Sequence, residues 1–88
     1  MFYVYLIRSF VNGKIYTGYS KNLKDRLKDH NSGSVHTTKR MGEIELIYYE
    51  AFKSEKDAIR REKYLKTTKG KRAVKLMLKE SLKSGAIV

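Results

Sequence analysis

The chain has 88 residues, room for one domain, and its 41% apolar and 33% charged content is that of a soluble globular protein with a small core. It has no cysteine, which excludes disulfides and thiolate metal centres, and two histidines are too few for most imidazole zinc sites; carboxylate-held Mg²⁺ or Mn²⁺ remains compatible. Twenty Lys and Arg against nine Asp and Glu give a net charge of +11, a self-repelling excess for which a polyanion is the natural partner, nucleic acid above all.

No apolar run is long enough to span a bilayer. The opening segment Phe2 to Ile7 is an unbroken aromatic and β-branched run, which reads as a strand covered on both faces and not as a secretory leader. A cytoplasmic protein, monomeric and away from membranes, is therefore expected. Asn12-Gly13 then signals a two-residue hairpin, since both central positions of a type I′ turn need positive φ. With that loop, Ser9 faces Tyr16 and Tyr5 faces Ser20. Tyr3, Tyr5, Ile7 and Ser9 then share a face with Lys14, Tyr16, Gly18 and Ser20, and two tyrosines from different strands look the same way.

Gly18 closes the second strand, and Ser20 or Asn22 can cap a helix ending near Asn31. Leu23 and Leu27 form its buried stripe, and Arg26 and His30 stand one above the other on a neighbouring strip. A polar loop to about Gly42 follows, carrying His36, Thr37, Thr38, Lys39 and Arg40. Glu43 to Phe52 reads as the third strand, with Ile44, Leu46 and Tyr48 on one face and Ile47, Tyr49 and Ala51 on the other; its blurred alternation suggests a central position.

Ser54-Glu-Lys-Asp57 resembles a capping box. The helix it opens has Ala58, Ile59, Glu62 and Leu65 at helical spacing, so Glu62 is an acid in an apolar stripe. Lys69-Gly70 reads as a break before a last helix from Lys71 to about Ser81, with Val74, Met77 and Leu78 inward and Arg72, Lys75 and Lys79 outward; residues 84–88 are a loosely held tail to a single domain of residues 1–83. The expected order is ββαβαα, an α+β fold with a three-stranded antiparallel sheet flanked by helices.

Taken singly, a sheet tyrosine is core, a helix arginine is a solvated charge, and a histidine in a last helical turn favours the dipole. Together they suit phosphodiester cleavage, which needs a group to take a proton from water, a fixed cation for the developing charge, and an acid to hold a divalent metal. Tyrosine or histidine, Arg26 and Glu62 would supply these in turn.

At these residues the chain resembles the GIY-YIG nuclease family, and within it the small UPF0213 (YhbQ-like) group. The two family triplets appear as Tyr3-Val4-Tyr5 and Tyr16-Thr17-Gly18, with Arg26, His30 and Glu62 following at family-like intervals; the likeness covers roughly residues 2 to 80. Tyr3 and Val4 replace the first glycine and isoleucine of the family name, and Thr17 replaces the second isoleucine.

The resemblance implies hydrolysis of DNA by one divalent cation, Mg²⁺ or Mn²⁺. In that picture Glu62 holds the metal, Arg26 binds the scissile phosphate, and Tyr5, Tyr16 and His30 position or deprotonate the attacking water, with the base open among the three. Lys14, Lys39, Arg40, Arg61, Lys69, Lys71 and Arg72 are the candidate phosphate contacts. With no targeting domain attached, the expected preference is for DNA shape or backbone, as in nicked, branched or damaged structures, with RNA as the other candidate. Two rival expectations are a catalytically weak or silent nucleic-acid-binding module of the same fold, and an adaptor completing a larger protein partner. Glu62 favours the enzyme, because an acid repels phosphate unless a metal sits between them.

Overall fold

The computed structural model describes residues 1–31 and 43–84. Its elements are β1 (Phe2–Ser9), β2 (Ile15–Ser20), α1 (Leu23–Asn31), β3 (Ile44–Phe52), α2 (Glu55–Leu65), α3 (Thr68–Met77) and the short α4 (Lys79–Ser84). The expected α+β arrangement and its order are present, with the last helix split at Leu78 into α3 and α4. No helix among the described residues is long and apolar enough to cross a membrane.

All strand pairs are antiparallel, in the order β2-β1-β3. The central strand is β1, whose Val4, Tyr5, Leu6 and Ile7 are each at most 1% exposed. This corrects the sequence reading of Glu43–Phe52 as a central strand: β3 is an edge, and its Leu46 and Tyr49 are 38% and 53% exposed.

The hairpin register also differs from expectation. Tyr3 pairs with Ser20, Tyr5 with Gly18 and Ile7 with Tyr16, a shift of two residues. The loop is Phe10 to Gly13. The Gly13 amide donates to the Ser9 carbonyl at 3.0 Å, and the Ser9 hydroxyl accepts from the amides of Val11 and Asn12 at 3.1 and 3.3 Å. Within this loop only Gly13 has positive φ, 72°, so Asn12 does not meet the type I′ requirement. A shift of two preserves the alternation of faces, and Tyr5 and Tyr16 still look the same way.

One face of the sheet carries the core. Val4 and Leu6 pack with Ala58 and Leu65 of α2 and with Val74 and Leu78 beyond it, flanked by partly buried side chains that include Ile15, Ile47, Tyr48 and Leu82. Full burial of an aliphatic side chain of this size contributes about 1.5–3 kcal/mol. The opposite face receives α1.

Ile47 and Tyr48 both face the core because β3 is irregular there. Leu6 pairs with Tyr48 but Ile7 pairs with Leu46, leaving Ile47 as an extra residue in a β-bulge. The expected grouping of Ile44 and Leu46 with Tyr48 is thereby broken, and the blurred alternation has its cause.

Helix ends depart from the sequence reading in three places. Ser54 precedes α2 with extended backbone but makes no side-chain capping bond, so the capping box does not form; Glu55 and Asp57 supply the negative charge in the first turn. Gly70 is not a break. It lies in the first turn of α3, where the Thr67 hydroxyl accepts its amide at 3.0 Å, and a Cβ there would run into the Tyr64 carbonyl oxygen and Leu65 Cα. Met77 is 43% exposed, leaving Val74 and Leu78 as the inward pair.

Arg8 fastens the chain's two ends. Its guanidinium meets Glu45 Oε1 at 2.7 Å and donates to the Leu82 carbonyl at 2.8 Å, joining β1, β3 and α4 in one partly buried knot.

Candidate active site

Tyr5, Tyr16, Arg26 and His30 gather on the face of the sheet opposite the core, and Glu62 approaches from α2 on the core face. Ser20 and Asn22 set the phase of α1: the Ser20 hydroxyl accepts the Asn22 amide at 3.0 Å, and Asn22 Oδ1 accepts the Asp25 amide at 3.2 Å. Asn22 is thus the cap. Arg26 and His30, one turn apart, both face β1 and β2 as a result.

His30 is 2% exposed and Tyr5 1%, and the Tyr5 hydroxyl lies 2.7 Å from His30 Nε2. Tyr16 completes the group: its ring centroid is 6.5 Å from that of Tyr5 and 5.5 Å from that of His30, while Tyr5 and His30 are 5.6 Å apart. Gly18 makes this packing possible. A Cβ at that position would overlap the Tyr5 ring itself.

Electrostatics tie two charged residues to the rings. Burial pushes the Tyr5 phenol well above its ordinary pKa; nearby Tyr16 adds to the effect, Arg26 opposes it, and Glu62 raises it further. Burial likewise lowers His30 below its ordinary 6.5, and the Arg26 cation adds to the fall against a smaller opposing pull from Asp29. His30 is therefore neutral at pH 7. Tyr5, Tyr16, Arg26, His30 and Glu62, predicted as a set, are within electrostatic or direct reach of one hydroxyl.

Arg26 is half-buried and opens onto a cleft of about 390 Å³ shared with Tyr19, Lys21 and Asn22. Beside it the Tyr19 hydroxyl donates to Glu55 at 2.5 Å, and that hydrogen bond pushes the Tyr19 phenol up to about 12. Glu55 has no family motif to mark it in sequence, and the pair emerges only once α2 is placed against β2.

Glu62 has a side chain 20% exposed and an ion pair with Lys66 at 3.2 Å. Among the described residues no group of three or more His, Asp or Glu is placed to hold a metal. A single carboxylate fits Mg²⁺ or Mn²⁺, which retain several waters and accept phosphate oxygens, provided the ion displaces Lys66. It does not fit a fully protein-ligated cation.

The candidate phosphate contacts separate into groups. Arg61 is engaged internally: it donates to Glu50 at 2.8 and 3.0 Å and lies over the Tyr64 ring at 5.6 Å. Burial raises Glu50, but hydrogen bonds from Arg61 and Tyr48 outweigh it and hold the carboxyl below its ordinary range. Lys14 and Lys71 line one cleft between β2 and α3 together with Lys75, whereas Lys69 and Arg72 are exposed and do not line it. Sequence reasoning passed over Lys75, although its spacing of four from Lys71 beside Val74 placed it on the same strip. Lys39 and Arg40, with His36, Thr37 and Thr38, lie outside the described residues.

The three-stranded antiparallel sheet carries the two tyrosine triplets on adjacent strands, with an arginine and a histidine presented by the following helix, which is the arrangement that the resemblance to a nuclease family implies. Residues 1–76 match the model of the GIY-YIG catalytic domain, and the chain belongs to the GIY-YIG family. It is similar to UPF0213 proteins. One from Clostridium perfringens is 33% identical over 84 residues, covering 94% of this chain and 89% of the relative. Others from Staphylococcus saprophyticus and Staphylococcus haemolyticus are 33% and 36% identical over 76 residues, covering 85% of this chain and 92% of each relative. No solved structure matches the chain.

Proposed function

We propose that this protein is a metal-dependent endonuclease that hydrolyses phosphodiester bonds in DNA and selects its substrate by shape. The observation that carries the reading is the convergence of Arg26, Glu62 and the Tyr5–Tyr16–His30 cluster, because a core tyrosine needs neither the cation nor the acid. A divalent ion on Glu62 would polarise the phosphate and stabilise the charge that grows on its oxygens.

Arg26 binds the scissile phosphate from the cleft beside α1 and offsets the negative charge of the transition state. Tyr5 positions and does not act as base: its hydroxyl is committed to His30, and burial favours its protonated form. Tyr16 is less buried than Tyr5 and has no hydrogen-bond partner among the described residues, so it is the phenol that can contact the attacking water. His30, neutral and held by Tyr5, keeps the Tyr16 ring in place. Hydrolysis forms a bond from the water oxygen to phosphorus and breaks the bond to the leaving sugar oxygen; the Tyr16 hydroxyl orients the water, and the proton that the water sheds passes through solvent to the leaving oxygen.

One observation favours a second reading. Lys66 occupies the Glu62 carboxylate, as suits a silent nucleic-acid-binding module. The two readings part in cleavage of labelled duplex, single-stranded, flap and four-way-junction DNA with Mg²⁺, Mn²⁺ or EDTA. Metal-dependent cutting by wild type that is lost in Arg26→Ala and Glu62→Gln supports the nuclease. Binding of every substrate with no cutting, and undiminished binding by Glu62→Gln, transfers the case to the binding module.

A further inference from the structure

The cleft between β2 and α3 has about 330 Å³ of space and lies on the face of β2 opposite Tyr16. Its floor is apolar, formed by Ile15, Leu65 and Val74, and its rim carries Lys14, Lys71 and Lys75. Three ammonium groups around one cleft repel one another. No ion pair among the described residues offsets any of the three, and no acidic side chain lines the cleft. An apolar floor under uncompensated cations suits a ligand with phosphate on one side and a less polar body on the other.

The placement of the cleft decides which ligand. Ile15 and Thr17 flank Tyr16 along β2, which is an edge strand with no sheet neighbour beyond it among the described residues. Leu65 follows Glu62 by three residues on α2, and the two are one turn apart. A chain of phosphates crossing the open edge of β2 therefore meets Tyr16 on one face of the sheet and, on the other, Glu62 and the three lysines. A free phosphate or a lipid headgroup would need no such adjacency.

We infer that Lys14, Lys71 and Lys75 form a second phosphate subsite, which grips the backbone of the same nucleic-acid strand beside the phosphate held by Arg26 and rests its sugar on the Ile15–Leu65–Val74 floor. The inference deepens the nuclease reading and rests on it for the position of the strand, but not for whether the bond is cut. Lys75 becomes a binding residue, and the strand wraps the sheet edge.

The test is run in EDTA, so that cleavage plays no part. Binding of labelled DNA is measured by anisotropy from about 50 to 200 mM salt for wild type and Lys71→Gln/Lys75→Gln, and two lost phosphate contacts should flatten the log–log slope by about 1.5. Both lysines are exposed, so the double variant should fold as wild type does. In parallel, lysine acetylation is read by mass spectrometry with and without DNA. Lys14, Lys71 and Lys75 should be protected by an oligonucleotide while exposed Lys53 and Lys56 are not, and a dinucleotide should protect the three poorly because it cannot span both subsites. An unchanged slope, or protection no greater than at Lys53 and Lys56, overturns the subsite. Equal protection by the dinucleotide overturns the continuous strand. If the subsite tests succeed and the cleavage assay fails, the site is a backbone grip on a silent fold.

Discussion

The Tyr5 hydroxyl and His30 Nε2 meet at 2.7 Å in a pocket where neither residue is more than 2% exposed. The contact fastens α1 to the central strand, and removing the hydroxyl leaves a buried ring nitrogen without that bond. Tyr5→Phe should lower stability by about 1–3 kcal/mol in urea unfolding, the cost of an unsatisfied buried polar group. DNA affinity in EDTA should be unchanged, because Tyr5 faces no ligand.

His30 makes stability depend on acidity in a defined direction. Its pKa in the folded chain lies below the unfolded value of 6.5, so the unfolded state takes up a proton first as pH falls. The stability it contributes is complete above 6.5 and is lost as pH falls from there through the depressed folded value. Comparing wild type with His30→Gln between about pH 7 and 5 isolates the effect, and the difference in stability between them should narrow towards the acid end.

Gly18→Ala should be more damaging than its single methyl suggests. The added carbon would overlap the Tyr5 ring, which has β1 behind it and His30 at its edge. Overpacking of this kind costs about 1–3 kcal/mol, and the displaced ring should also lose its bond to His30. A fall in melting temperature together with loss of the acid-linked stability change would show both effects in one variant.

Lys66 competes with any cation for Glu62. The pair is 3.2 Å apart and the lysine side chain is 52% exposed, so the contact contributes little to stability. Lys66→Gln should lower stability by no more than about 0.5–1 kcal/mol in urea unfolding. The Mn²⁺ concentration needed for half-maximal cleavage should fall by roughly two- to fivefold, matching the 0.5–1 kcal/mol such a pair is worth. A rise would mean that Lys66 assists the site.

Tyr5, Tyr16, Arg26, His30 and Glu62 were legible in the sequence because spacing carried them, whereas Lys66 was not. Arg26 and His30 lie four apart on a helix, and Tyr5 and Tyr16 share a face under any even shift of register. What the sequence hid was non-local. The Ser9 hydroxyl bonds that enlarge the hairpin loop compete with the Asn12-Gly13 turn signal, and no local rule weighs them. Gly70 read as a break because its burial against Tyr64 and Leu65 depends on how two helices cross. Lys75 looked outward because exposure in sequence terms carries no information about which cleft a charge borders.

The bulge at Ile47 gives β3 a different tolerance at each point along its length. Residues on either side pair with β1 in fixed partners, Leu46 with Ile7 and Tyr48 with Leu6, and Ile47 is the surplus between them. Deleting Ile47 would restore a regular ladder and keep every other pairing, at the cost of one core side chain; deleting a neighbour such as Glu45 or Glu50 would slip the strand. Among relatives of this fold, a change of length in the third strand is therefore best accommodated at this one position.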